Sequence, residues 1–208
     1  MYLYIVMKDK FDFYQDYYFR ELNRRNEINS SLSIPIGLIT ALVGGGSYLL
    51  TNFEYHLSLW LTIPFTVATT AGLVFLLFSV YNLIKAYTNF PSRYDYVFIA
   101  DNEVIEKYRQ ELKAYYAANP SLRDVSEEEF DGYLIAEMVK NTGINQKNNK
   151  RKTKFSYNCE KNLINALISI SISLSVFSVN HVLKPEKKTT FDARLVPPGK
   201  VEIIENSK

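Results

Sequence analysis

The sequence has very few of the residues that build disulfides, metal sites or catalytic centres. It contains one cysteine, Cys159, and two histidines, His56 and His181, among 208 residues. A single cysteine excludes an intramolecular disulfide, and these residues show no metal-ligand spacing. A glycine-rich phosphate loop, an HExxH motif and a nucleophile motif are also lacking. We therefore expect a protein that is not an enzyme and that needs no metal or cofactor.

Charged side chains are missing from two long stretches, residues 30–50 and 57–84. At about 1.5 Å per helical residue, each stretch can cross the roughly 30 Å of hydrocarbon in a bilayer. The six residues between them suffice only for a turn. The sequence therefore predicts a transmembrane helical hairpin over residues 30–84.

The basic residues are distributed unevenly around this hairpin. The turn has no lysine or arginine, whereas both flanks have several, which places both flanks in the cytoplasm by the positive-inside rule. The apolar start of the chain is short and has no basic segment before it, so it is not a cleavable signal. We expect a multi-pass protein of the bacterial inner membrane with a cytoplasmic N-terminus. Residues 1–29 are predicted to form a juxtamembrane helix continuous with the first span.

Residues 85–162 have the composition of a cytoplasmic helical region. An amphipathic helix is predicted over residues 101–118, ending at Asn119 and Pro120. Ser126 and Glu129 have capping-box spacing and predict the start of a second helix, antiparallel to the first. Thr142 and Gly143 are expected to interrupt or bend that helix.

Glycine and proline are absent from residues 144–184. This absence predicts one long helix that enters the membrane as a third span over residues 163–183. Apolar residues and serines alternate over residues 168–176, which is typical of a strand. A helix is favoured because the run covers about twenty residues and a lone strand cannot satisfy its backbone in lipid. The overall prediction is an all-α integral membrane protein with a short β-like tail at 184–208.

Small residues recur every fourth position in both spans of the hairpin. Such stripes let helix backbones approach closely in lipid. Packing inside the hairpin is one interpretation, and contact between subunits is the other. The predicted helix-packing residues are Gly37, Ala41, Gly45, Ala68 and Gly72.

The third apolar run carries polar seams. On a helix, one set of its side chains falls in a single arc of about 80°, and Ser171, Ser175 and Ser178 form a second stripe. Serines of this kind are common in helix packing. In a homo-oligomer the same arc could instead line a water-filled path for ions. The candidate pore-lining residues are Asn165, Ser169, Ser173 and Asn180.

A basic cluster precedes the third run. One interpretation is an anchor to anionic lipid headgroups. The other is a site for an anionic ligand such as a nucleotide, formed with asparagines spaced along one side of a helix. The candidate ligand-binding residues are Asn141, Asn145, Asn149, Lys150, Arg151, Lys152 and Lys154.

The order of these elements resembles that of the SLATT-like small membrane effectors. The resemblance rests on Asn-Arg-Arg-Asn at 23–26, on the two-span hairpin, and on a cytoplasmic helix with Tyr133 and Asn141, Asn145 and Asn149. It covers most of residues 10–180, and the third span and tail depart from the pattern. The resemblance implies an oligomer that permeabilises or depolarises the membrane in antiphage defence. Its signal would be a nucleotide or oligonucleotide from a companion nucleotidyltransferase, or a partner protein.

Two functions therefore remain open. The first is an oligomeric, ligand-gated or partner-gated membrane effector that contacts lipid. The second is a constitutive scaffold or accessory subunit of a membrane complex, without transport activity. Net charge is only +2, so bulk electrostatics do not indicate nucleic-acid binding.

Overall fold

The computed structural model describes residues 2–88, 90, 92–117 and 123–184, and the regular structure within these ranges is entirely α-helical. Its five helices are α1 Tyr2–Ser31, α2 Ser33–Asn52, α3 Leu59–Thr88, α4 Asn102–Ala117 and α5 Arg123–Val182. The predicted all-α class is confirmed. The β-like tail lies outside the described residues, apart from Lys184.

Three segments are long and apolar enough to cross a membrane. They are Asp9–Asn52, Leu59–Thr88 and Val125–Val182. Much of their surface is apolar and exposed in a single copy, including Trp60, Val67 and Leu77. An exposed apolar surface of this extent is what a lipid environment accommodates. The two apolar helices of the predicted hairpin and the predicted third apolar helix are all present, and the hairpin topology itself stays a prediction.

A one-residue turn at Leu32 separates α1 from α2. The Leu32 N–H donates to the Asn29 carbonyl three residues back, at 3.3 Å. Pro35 follows within one turn, and its ring removes the N–H that would bond to the carbonyl of Ser31. The prediction of one continuous helix is correct except for this turn.

Helix α5 runs through 60 residues without interruption, so it is roughly 90 Å long. Two expectations for this helix are wrong. Ser126 lies inside α5 rather than at its start, so it forms no capping box. Thr142 and Gly143 do not interrupt it either, because packing offsets the roughly 1 kcal/mol helix cost of glycine, and Thr142 is buried.

The core of the apolar half lies between α3 and α5, which make the most extensive helix contact of the fold. The buried face of α3 includes Phe65, Thr69, Gly72 and Leu76, at spacings of three and four. A Cβ added at Gly72 would lie 3.0 Å from Cγ1 of Ile170. Gly72 therefore lets α3 approach α5 closely.

The small-residue stripe of α2 meets no neighbouring helix among the residues that the structure describes. A Cβ added at Gly37 or Gly45 would meet nothing within 4 Å, and Ala41 is exposed. The expected packing of this stripe inside the hairpin is therefore wrong. α2 packs mainly on α5, for instance through Tyr48 on Phe177, with ring centroids 6.1 Å apart. Contact of the stripe with another subunit stays a prediction.

In the polar half, α1 and α4 both pack on α5. α4 runs antiparallel to α5: the tilted rings of Tyr108 and Tyr133 pack together with centroids 4.6 Å apart, and Tyr116 donates to Glu129 at 2.6 Å. α1 runs parallel to α5 and buries Tyr18 against Met138. We call this half the polar layer, comprising α1, α4 and the part of α5 before Leu163.

Candidate functional site

The chain between α3 and α4 forms a strap without regular secondary structure over residues 93–100, although the sequence placed it in a helical region. Asn141 bonds to Phe98, and Asn148, seven residues later on α5, bonds to Asp95, three residues earlier on the strap. Seven helical residues rise roughly 10.5 Å, and three extended residues span roughly 10 Å. The strap is therefore extended and antiparallel to α5.

Asparagine side chains of α5 hold the backbone of this strap. Asn145 Nδ2 donates to the Val97 carbonyl at 2.9 Å, and Asn145 Oδ1 accepts from the Val97 N–H at 3.0 Å. Asn148 Nδ2 donates to the Asp95 carbonyl at 2.7 Å. Asn141 Nδ2 donates to the Phe98 carbonyl at 3.2 Å. The predicted row of asparagines on one side of the helix exists, and it is occupied by the protein's own chain.

Asn149 joins the strap to α1. Its Oδ1 accepts from the Tyr96 hydroxyl at 2.7 Å, and its Nδ2 donates to the Glu21 carbonyl at 2.8 Å and carboxylate at 3.0 Å. The hydroxyl oxygen of Tyr18 accepts from the Ile99 N–H at 3.1 Å. Asn149 and Glu21 are both buried, so the two bonds between them form in a low dielectric, where losing one partner is costly.

Lys152 is the buried cation of the site, with 3% of its surface exposed. Its Nζ donates to Asn29 Oδ1 and lies 5.2 Å and 5.8 Å from the ring centroids of Tyr94 and Tyr96. Burial lowers the pKa of Lys152, and the charge of Arg25 lowers it further. Burial also raises the pKa of Tyr94 and that of Tyr96 to about 12, so both phenols stay neutral.

The other cations of the basic cluster are exposed. Lys147, Lys150, Arg151 and Lys154 project from α5 within one arc of about 100°. Lys154 precedes Leu163 by nine residues, which places it roughly 13 Å along the helix from the apolar run, and Lys147 lies roughly 24 Å away. A headgroup layer is only about 5–8 Å thick. Lipid anchoring therefore accounts poorly for the far end of this cluster.

A polar groove of about 790 Å³ lies beside α1 in the same layer. It is lined by Arg20 and Arg24 as well as by Asp16 and Glu27, so cations and carboxylates alternate along it. Gln146 closes its floor, with its Nε2 donating to the Tyr17 hydroxyl at 3.0 Å. This mixture of charges does not select an anion.

The predicted pore-lining residues face the interior of one copy to different degrees. Ser173 is fully buried, and its Oγ accepts from Thr69 Oγ1 at 3.0 Å. Asn180 is buried and holds the backbone N–H and carbonyl of Glu54 at 3.2 and 3.1 Å. Ser169 and Asn165 are half-buried. The packing interpretation accounts for Ser173 and Asn180, and a pore-lining role for the four stays a prediction.

The sequence did not identify the site residues that α1 and the strap contribute. These are Tyr18 and Glu21 of α1 and Tyr94 and Tyr96 of the strap. The one available signal was the spacing of Tyr94 and Tyr96, because two residues apart on an extended chain puts them on one face. Their ring centroids are 6.4 Å apart, and both contact Lys152.

In the part of the chain that the structure describes, the regular structure is helical, three helices are able to span a membrane, and a strap is held in the polar layer. Comparison with known proteins returns no matching family model, no matching curated protein and no matching solved structure. The resemblance to SLATT-like effectors accordingly stays a prediction.

Proposed function

We propose that this chain is the protomer of an oligomeric effector of the bacterial inner membrane, with its polar layer in the cytoplasm. A nucleotide-type anion or a partner protein binds the polar layer, and the assembled bundle then depolarises the membrane in antiphage defence. The observation that carries the proposal is the continuity of α5. This one helix holds the strap at Asn145 and packs on α3 at Ile170, so a displacement in one half reaches the other.

The strap supplies the two states that such a switch requires. A ligand shifts an equilibrium only if it binds the two states with different affinities. An anion bound by Lys150, Arg151 and Lys154 contacts the face of α5 next to the asparagines that hold the strap. An anion that needs Asn145 or Asn149 must first displace the strap. Both routes couple ligand binding to the position of α5.

Asn165 supports the oligomeric part of the proposal. Its side-chain amide is half-buried in an apolar run, and within the described residues it has no hydrogen-bond partner. An unpaired amide facing lipid is costly. In an oligomer, a neighbouring copy or a water-filled path would satisfy it, together with Ser169 one turn later.

Membrane-potential dye in cells expressing the chain tests the proposal. Wild type is expected to depolarise the inner membrane, and Asn165→Leu and Ser169→Leu are expected to abolish the effect. Ser178→Leu is the matched control, because Ser178 is an exposed serine of the same helix that bonds to its own helix at Leu174. Depolarisation that persists in both Asn165→Leu and Ser169→Leu, at equal expression, contradicts a pore lined by these residues.

A constitutive scaffold is the second candidate, and one observation favours it. The seam between α3 and α5 is hydrogen-bonded within one copy through Thr69 and Ser173, and Ser79 Oγ donates to the Cys159 carbonyl at 3.0 Å. A bundle whose buried hydroxyls are already paired needs no rearrangement. An unchanged membrane potential at good expression, with or without phage infection, supports this function instead.

A further inference from the structure

On one edge of the strap, the backbone groups between Tyr94 and Phe98 have no hydrogen-bond partner among the residues that the structure describes. In an extended chain, the N–H and carbonyl of one residue point to the same edge, and those of the next residue point to the opposite edge. Asn145 holds both groups of Val97 on the inner edge. The backbone groups of Tyr94 and Tyr96 therefore point to the outer edge, and so does the N–H of Phe98, which lies opposite the Val97 carbonyl across their shared trans peptide group. The alternation ends at Phe98, whose carbonyl turns back to Asn141. Among the residues described, these outward groups have no hydrogen-bond partner.

We propose that this outer edge binds an extended, acidic segment of a separate polypeptide by strand addition. Unpaired strand edges are templates for pairing, and proteins use them to recognise extended peptides through main-chain hydrogen bonds. The strap is already held extended at Asp95 and Val97. Binding therefore does not have to order it, which lowers the entropic cost of association.

A second copy of the strap cannot be the partner. Copies inserted with the same orientation are related by rotation about the membrane normal, and the strap runs along α5 and hence roughly along that normal. Rotation about this direction brings the same residues to the same height, so each outward N–H of Tyr96 would face another N–H. Parallel strands pair only when donors meet acceptors. The partner must be a different segment.

The charges around the strap favour an acidic partner. Arg151 of α5 is exposed, and its charge acts on the Tyr94 hydroxyl. Lys147 lies on the preceding turn of α5 and is exposed as well. Asp95 is the one carboxylate of the strap. Opposite charges on the incoming strand would steer it and fix its register.

A synthetic peptide probes the edge directly. The full chain in lipid nanodiscs is titrated against a labelled ten-residue peptide of alternating valine and glutamate, and fluorescence anisotropy is measured. Saturable binding is expected. The same peptide N-methylated at alternate residues is expected to bind at least about tenfold more weakly, since each lost hydrogen bond costs about 0.5–1.5 kcal/mol. A lysine-for-glutamate version is also expected to bind more weakly.

Two substitutions at Phe98 form the matched pair on the protein. Phe98→Pro removes an outward N–H that has no partner in the described chain, and it keeps Val97 extended. Phe98→Ala removes the exposed side chain but keeps the N–H. The proline variant is expected to lose about tenfold in affinity, and the alanine variant is expected to bind like wild type. Circular dichroism and thermal melting confirm that both variants fold.

Failure of the glutamate peptide to bind overturns the proposal, as does equal binding of its N-methylated form. If the proline variant does not fold, the comparison between the two peptides still decides the question. The inference names a partner for the polar layer, and its readout is peptide binding rather than membrane potential. A chain that binds the peptide but leaves the membrane polarised would refute the proposed function and keep this inference.

Discussion

Asn145 holds both backbone hydrogen-bonding groups of Val97, donating to its carbonyl at 2.9 Å and accepting from its N–H at 3.0 Å. Asn180, at the other end of α5, makes the same pair of bonds with Glu54. A carboxamide carries a donor and an acceptor in one plane, so it can take the place of a neighbouring strand. One helix thus fixes two non-helical segments, one on each side of the apolar bundle.

Replacing Asn145 with leucine should release the strap. Two buried bonds are lost, and the Val97 backbone groups are left without partners, so we expect the polar layer to lose about 2–4 kcal/mol of stability. Hydrogen exchange at the Val97 amide measures this directly, and the exchange rate should rise steeply. Asn158→Leu is the control, since Asn158 is half-buried on the same helix and contributes no bond to the strap. An unchanged exchange rate of the Val97 amide in Asn145→Leu would show that Asn145 is not needed to hold the strap.

Gly72 and Gly37 should respond oppositely to a larger side chain. Gly72→Val places atoms where Ile170 and Ser169 already lie, so overpacking should destabilise the α3–α5 contact by about 1–3 kcal/mol. Gly37→Ala meets open space and improves helix propensity, so it should be neutral or mildly stabilising in a single copy. Thermal melting in detergent compares the two. Destabilisation by Gly37→Ala would instead indicate that another subunit covers this stripe.

A double-mutant cycle can measure how much the hydrogen bond between Thr69 and Ser173 contributes to stability. Thr69→Val and Ser173→Ala each remove one partner, and their coupling energy should be about 0.6 kcal/mol, the usual size for such bonds between membrane helices. Unfolding in mixed micelles provides the free energies. Ser175→Ala serves as the control because Ser175 is exposed and bonds back to Ser171 of its own helix. A coupling energy near zero would mean that the bond between the two hydroxyls does not stabilise the α3–α5 contact.

The contact between α4 and α5 should weaken in acid. A hydrogen bond from Lys113 lowers the pKa of Glu127, and Arg109 lowers it further. A carboxylate with a lowered folded-state pKa stabilises above its unfolded pKa, and that contribution is lost as pH falls through the folded value. Both partners are substantially exposed, so the effect is modest.

Protection of α4 against proteolysis should therefore fall as the pH drops below the pKa of an ordinary glutamate side chain. Glu127→Gln should be less protected at neutral pH and should show less change with pH. Glu128→Gln is the control because the neighbouring carboxylate has no ion pair to α4 among the described contacts. A pH response that persists in Glu127→Gln would assign it to another group.

The helices were largely predictable, whereas their partners were not. The absence of charge in residues 30–50 and 57–84 and the absence of glycine and proline in 144–184 predicted three long helices, and these are present. The spacing of Asn141, Asn145 and Asn149 correctly placed them on one side of a helix. Their ligand was not predictable, because the strap that fills them lies more than forty residues earlier in the chain.

What the sequence determined by itself is local: which segments are helical, which are apolar enough for a bilayer, and which side chains share a helix face. These properties follow from the fixed rise and period of the helix and from the cost of placing charge in lipid. Only the tertiary structure decided that Gly72 meets α5, that the stripe of Gly37 meets no other described part of the same copy, and that Asn145 holds Val97. Such contacts depend on which surfaces pack together once the chain has folded, and helical periodicity does not contain that information.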